Sequence, residues 1–62
     1  MLKEKRKQKN MSQEELSIAL GVSQSMISKW ERGENFPRGK ILIKLAETLS
    51  CSVDELLREE DK

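Results

Sequence analysis

The sequence predicts an all-α fold, a compact bundle of five short helices, from three observations. Helix-opening caps and glycine or asparagine stops recur along the chain, apolar residues return at helical spacing, and no stretch alternates apolar with polar residues as a strand would. With 62 residues and 35% hydrophobic content, residues 1–62 have material for a single domain around a single core. A chain this short buries only about 60% of its unfolded surface, so caps and association matter to its stability.

Residues 2–9, LKEKRKQK, are good helix formers, and Asn10 stands where a left-handed terminating residue is wanted. Ser12 with Glu15 three residues on makes a capping box, with Met11 and Leu16 placed as the hydrophobic staple across it. The second helix therefore starts at about Gln13. Leu16, Ala19 and Leu20 mark its apolar face, and Gly21 supplies the positive φ that ends it. Ser23 can cap a third helix in which Ile27 and Trp30 share a face, leaving Ser25, Ser28, Lys29 and Arg32 on the others. Gly33 is its natural stop.

Glu34-Asn35-Phe36-Pro37 reads as a loop, because Pro37 biases Phe36 away from helix. Leu42, Leu45, Ala46 and Leu49 form an i, i+3, i+4, i+7 stripe, the clearest helical period in the chain. Ser50 and Cys51 interrupt it. Ser52 with Glu55 forms a second capping box, opening a last helix whose Val53, Leu56 and Leu57 face inward, and the acidic tail 59–62 is expected to fray.

Composition removes several function classes. One cysteine and no histidine leave no internal disulfide framework, no zinc finger and no imidazole base or nucleophile pair. There is no phosphate loop and no set of metal ligands, so an enzyme, a cofactor and a bound metal are all unexpected. No apolar run approaches the roughly 20 residues that span a bilayer, and the first ten residues carry charges where a signal peptide is apolar. A cytoplasmic protein with no membrane partner is the expectation.

The net charge of +1 hides an asymmetry: residues 1–40 sum to +4 and residues 41–62 to −3. That split suggests a basic face for a polyanion and an acidic end turned away from it. The stretch Gln13–Arg32 fits such a partner. Two short helices joined by a tight glycine turn, with polar residues on the first turn of the second, are how small proteins place a helix in the DNA major groove.

The run from Met11 to Gly33, with Ser-Gln-Glu-Glu-Leu, Gly-Val-Ser-Gln-Ser and Ile-Ser-Lys-Trp-Glu-Arg-Gly, resembles the Cro/phage-repressor (XRE-type) helix-turn-helix family. Pro37, the Leu42–Leu49 stripe and Ser52-Val53-Asp54-Glu55-Leu56-Leu57 are similar to that family's final two helices, so the likeness spans nearly the whole chain. It implies a lambda-repressor-like DNA-binding domain with the helix-turn-helix at helices two and three.

The same resemblance assigns roles. Gln13 stands at the first position of the motif, where a helix N-terminus favours a phosphate and the amide can also brace a neighbour. Gln24 matches the position from which the family commonly reads a base, and a glutamine can bond adenine N6 and N7 for about 1–3 kcal/mol of discrimination. Ser25 and Ser28 can serve bases or phosphates, and Lys29 can reach a guanine edge or a backbone oxygen. Arg32 completes the third helix's set, while Ser23 belongs to it chiefly as the cap. Arg6 and Glu31 match a family pair that fixes the first helix on the motif. Trp30 is expected in the core, locking the third helix against the second and fourth; Met26 packs on the turn or touches a thymine methyl.

Departures from the pattern carry expectations of their own. Lys5 replaces an apolar residue, which leaves Leu2 as the main anchor of a loosely held first helix. Ser17 replaces alanine where the motif helices cross and is still small enough. Gly39 replaces an apolar residue, so the fourth helix is expected to begin late, at about Lys40. Cys51, at a position usually aliphatic, reads as a buried inert thiol. Ile18, Ile41 and Ile43 flank the core stripes and are expected to be partly exposed.

One such module buries on the order of 600–1,000 Å² on DNA and binds weakly alone. A homodimer on half-sites about 34 Å apart is therefore implied, with Phe36, Ile41 and Val53 as its contacts and Arg38 and Lys40 reaching phosphates near the dyad. The function implied is a sequence-specific double-stranded-DNA-binding regulator of transcription, a repressor on a near-palindromic operator. The alternative is a protein-interaction module, antitoxin-like or antagonist-like, with DNA contact secondary.

Overall fold

The computed structural model describes residues 2–60, in five helices: α1 Leu2–Gln8, α2 Gln13–Leu20, α3 Gln24–Glu31, α4 Gly39–Thr48 and α5 Val53–Glu60. No strand occurs among the described residues. Of the tail expected to fray, the backbone through Glu60 is helical, and Asp61 and Lys62 lie outside the described residues.

Local chemistry sets the boundaries. Ser12 accepts a hydrogen bond from the Glu15 amide at 3.0 Å while Glu15 accepts one from the Ser12 amide at 2.8 Å, the reciprocal box that opens α2. Ser52 and Glu55 repeat it at α5, at 3.2 and 3.0 Å. Four helices end the same way, with a left-handed residue whose successor bonds back five positions: Met11 to Arg6, Val22 to Ser17, Glu34 to Lys29 and Cys51 to Ala46. The left-handed residues are Asn10, Gly21, Gly33 and Ser50. Ser50, at φ 56, is the one the sequence did not signal.

The core joins α2, α3, α4 and α5, with Leu2 of α1 packed partly against it. Leu16 of α2, Ile27 of α3 and Leu45 of α4 are fully buried, and Leu20, Trp30, Ala46, Leu49 and Leu56 close around them. Each buried leucine or isoleucine stabilises the fold by about 1.5–3 kcal/mol. Trp30 does sit in this core. α2 packs on α3 and α4, α4 on α5, and α1 chiefly on α3. The buried Ser17 returns its hydroxyl to the Glu14 carbonyl at 2.7 Å, which lets a polar side chain sit at the α2 crossing without an unmet donor.

Four expectations need correction. Leu57 is 43% exposed: α5 packs chiefly on α4, and the narrow contact takes Leu56 and part of Val53 but not the position one residue on. α4 begins at Gly39 rather than Lys40, with Gly39 at φ 61, a conformation that a side-chain-bearing residue adopts only with strain. Cys51 is half-buried against the core rather than enclosed. The chief anchor of α1 is not the partly buried Leu2 but Arg6, which is 7% exposed and hydrogen-bonded on three sides. Lys5, at the position where an apolar residue was expected, reaches Glu55 of α5 at 3.5 Å.

Candidate nucleic-acid interface

A polar relay runs from the interior to the first turn of α3. Arg6 donates from Nε to Glu31 Oε2 at 2.6 Å, from Nη2 to Glu31 Oε1 at 3.4 Å, and from Nη1 to the Met11 carbonyl at 2.7 Å. Both charges are almost enclosed, with side-chain exposures of 9% and 6%. Glu31 Oε1 also accepts from Gln13 Nε2 at 2.9 Å, and Gln13 Oε1 accepts from Gln24 Nε2 at 3.4 Å. The expected Arg6–Glu31 pairing is present, and it continues outward to both glutamines.

Burial pushes the Glu31 carboxyl up, but the hydrogen bonds from Arg6 and Gln13, with the charges of Arg6 and Lys3, outweigh it and hold the group below its ordinary value. Glu31 is therefore an anion, able only to accept, in ordinary conditions.

Outside the relay, α3 presents a polar face. Gln24, Ser25 and Lys29 are exposed, and Ser28 is half-buried. Ser23 accepts from the Met26 amide at 3.1 Å, so its hydroxyl caps the helix as expected. No acidic residue occupies the first turn of α3, which leaves its positive end uncompensated. α2 differs. Its first turn carries Glu14 and Glu15, and Glu15 closes the cap. The phosphate contact expected at the α2 N-terminus then depends on the second amide hydrogen of Gln13, because the helix end itself is already complemented.

Arg32, expected on the DNA face, is tied back. Its Nε meets Glu34 Oε2 at 2.6 Å and its Nη1 donates to the Ser28 hydroxyl. The pair raises Arg32 and lowers Glu34, chiefly through their hydrogen bond. The sequence reading missed Glu34, although its place just past the Gly33 stop carries a carboxylate back toward the end of α3. Gln13 was expected to brace a neighbour, and its neighbours are Glu31 and Gln24, partners that the sequence did not name.

Arg38 and Lys40 are exposed at the entry to α4. Met26 is half-buried against the core, and its sulfur accepts from Asn35 Nδ2 at 3.7 Å, which favours packing on the turn. Phe36 and Val53 also pack partly against the core, whereas Ile41 is 36% exposed. Ile18, at 73%, and Ile43, at 54%, are exposed more fully. Among the described residues no helix is long and apolar enough to cross a membrane, and no group of acidic or cysteine side chains could hold a metal ion.

Comparison with known proteins gives one consistent answer. The family model described as helix-turn-helix matches residues 2–56. The HTH-type transcriptional activator BcrR of Enterococcus faecalis is 40% identical over 60 residues, covering 97% of this chain and 29% of that protein. Repressor protein C2 of Salmonella phage P22 is 40% identical over 57 residues, covering 92% of this chain and 26% of its own length. The HTH-type transcriptional regulator DicA of Escherichia coli is 41% identical over 59 residues, covering 94% of this chain and 44% of its own. The chain thus spans less than half the length of each of these relatives. No solved structure matches it.

Proposed function

The chain belongs to the helix-turn-helix family, and from that premise we propose that it is a sequence-specific double-stranded-DNA-binding regulator of transcription. The observation that carries this reading is the outer face of α3. Gln24, Ser25 and Lys29 stand exposed on its first two turns, above a buried ion pair that fixes Gln13 beside Gln24, with no carboxylate on the first turn to repel phosphate.

In this reading residues 1–62 act as one domain, α3 enters the major groove and Gln24 meets a base. Gln13, Ser25, Ser28 and Lys29 hold the register on phosphates and base edges. Arg32 joins them when a phosphate replaces Glu34, an exchange of one anion for another. A homodimer on a near-palindromic operator places Arg38 and Lys40 at phosphates near the dyad, with Ile41 and the outer edges of Phe36 and Val53 as the contact. Repression follows where the bound helix-turn-helix occludes a promoter. The relatives named include an activator and a repressor, so the sign follows from where the operator lies. The protein works in the cytoplasm, where its DNA is, and performs no catalysis.

The exposed Ile18 and Ile43 favour a second reading, a protein-interaction module. Titrating the protein against random duplex at two salt concentrations separates the readings. Regulated DNA binding requires an affinity that falls steeply with salt, whereas a module built for protein partners gives none at low ionic strength.

A further inference from the structure

We infer that Glu31, which lies behind the recognition surface, selects the base that Gln24 reads by fixing which way two amide groups point. The inference rests on the DNA-binding reading above and deepens it. A carboxylate can only accept, so Gln13 must turn its NH2 group toward Glu31 Oε1, as the 2.9 Å bond has it. Gln13 Oε1 is then the atom left facing Gln24, and it accepts from Gln24 Nε2 at 3.4 Å. Gln24 in turn presents its Oε1 and its remaining N–H outward. One acceptor beside one donor complements the N6–H donor and N7 acceptor of adenine, and mismatches the two acceptors of guanine, O6 and N7.

Arg6 secures the first link. Its Nε takes Glu31 Oε2 at 2.6 Å, which orients the carboxylate so that Oε1 faces Gln13. In a Glu31→Gln variant the side-chain oxygen stays on Arg6 and an NH2 group takes the place of Oε1. Gln13 must then offer its oxygen inward and its NH2 to Gln24, so Gln24 turns its own oxygen inward and shows only N–H donors. That is a guanine reader. Glu31 is in this sense a positioning residue that sets specificity without touching DNA.

The test uses duplex recovered by selection from a random pool, and its single-base variants at the position where Gln24→Ala abolishes discrimination. Wild type is expected to prefer adenine over guanine there by about 5-fold to 150-fold. Gln13→Ala, which leaves the Arg6–Glu31 pair in place, is expected to bring that ratio toward parity, and Glu31→Gln to bring it below one. Removal of a phosphate contact alone weakens every sequence by the same factor and leaves the ratio unmoved. A Gln13→Ala ratio equal to that of wild type overturns the inference while leaving DNA recognition intact, and it decides the matter even where Glu31→Gln fails to fold. Absence of salt-dependent binding by wild type overturns the DNA reading and this inference with it.

Discussion

Replacing Arg6 by alanine tests whether the buried ion pair organises the fold or merely decorates it. Arg6 and Glu31 have side-chain exposures of 9% and 6%, and Arg6 donates three hydrogen bonds. Arg6→Ala leaves the Glu31 carboxylate enclosed with Gln13 as its remaining donor and leaves the Met11 carbonyl without its guanidinium. Breaking one side of such a pair costs about 3–5 kcal/mol. At roughly 0.05–0.15 kcal/mol per residue, a 62-residue chain holds about 3–9 kcal/mol in total. The single variant is therefore expected to lose a third or more of its stability and about 12–40 °C of Tm. Replacing both partners, Arg6→Met with Glu31→Leu, removes the uncompensated charge and fills the volume, and is expected to recover at least half of the loss. Urea unfolding followed by Trp30 fluorescence is a direct assay, because Trp30 is 7% exposed in the fold. An Arg6→Ala loss below about 1 kcal/mol, or a double variant as unstable as the two single losses added together, refutes the reasoning.

Other expected outcomes follow from the same contacts. Glu31 has its folded pKa lowered from an ordinary value of 4.5, so its contribution is complete above that value and is lost as pH falls through it toward the folded value. Urea midpoints should accordingly drop below about pH 4.5, with a shallower drop in Glu31→Gln. Ser50→Gly relieves a left-handed residue at φ 56 and should raise stability by about 0.5–1 kcal/mol net of glycine's entropy, read as a higher Tm. Glu34→Gln frees Arg32 from its 2.6 Å partner and should strengthen DNA binding at low salt while steepening the salt dependence by about one phosphate contact. Leu45→Ala empties a fully buried site between helices and should cost about 2–5 kcal/mol in urea unfolding.

What the sequence made legible was local. The two capping boxes, the stops at Asn10, Gly21 and Gly33, and the Leu42–Leu49 stripe each depend on residues within a turn or two of one another, and each recurs in the fold. Ser50 escaped because the hydrogen bonds ending α4 set its left-handed backbone, and serine gives no sign of it. Leu57 escaped because an apolar residue at helical spacing reveals the stripe but not how wide a surface the neighbouring helix offers. The candidate site divides the same way. Family resemblance placed Arg6 opposite Glu31, yet the links from Glu31 through Gln13 to Gln24 span eighteen and eleven residues of sequence and emerge only when α2 and α3 are packed together. The Arg32–Glu34 pair was hidden by the turn at Gly33, which brings together side chains that a continuing helix would hold apart.

Selection of bound duplexes from a random pool tests sequence-specific recognition by α3 most directly. The account predicts enrichment of a near-palindromic site whose half-site centres lie about 34 Å apart, one helical turn of DNA. Recovered pools with no common sequence, from a protein shown to be folded, would contradict it.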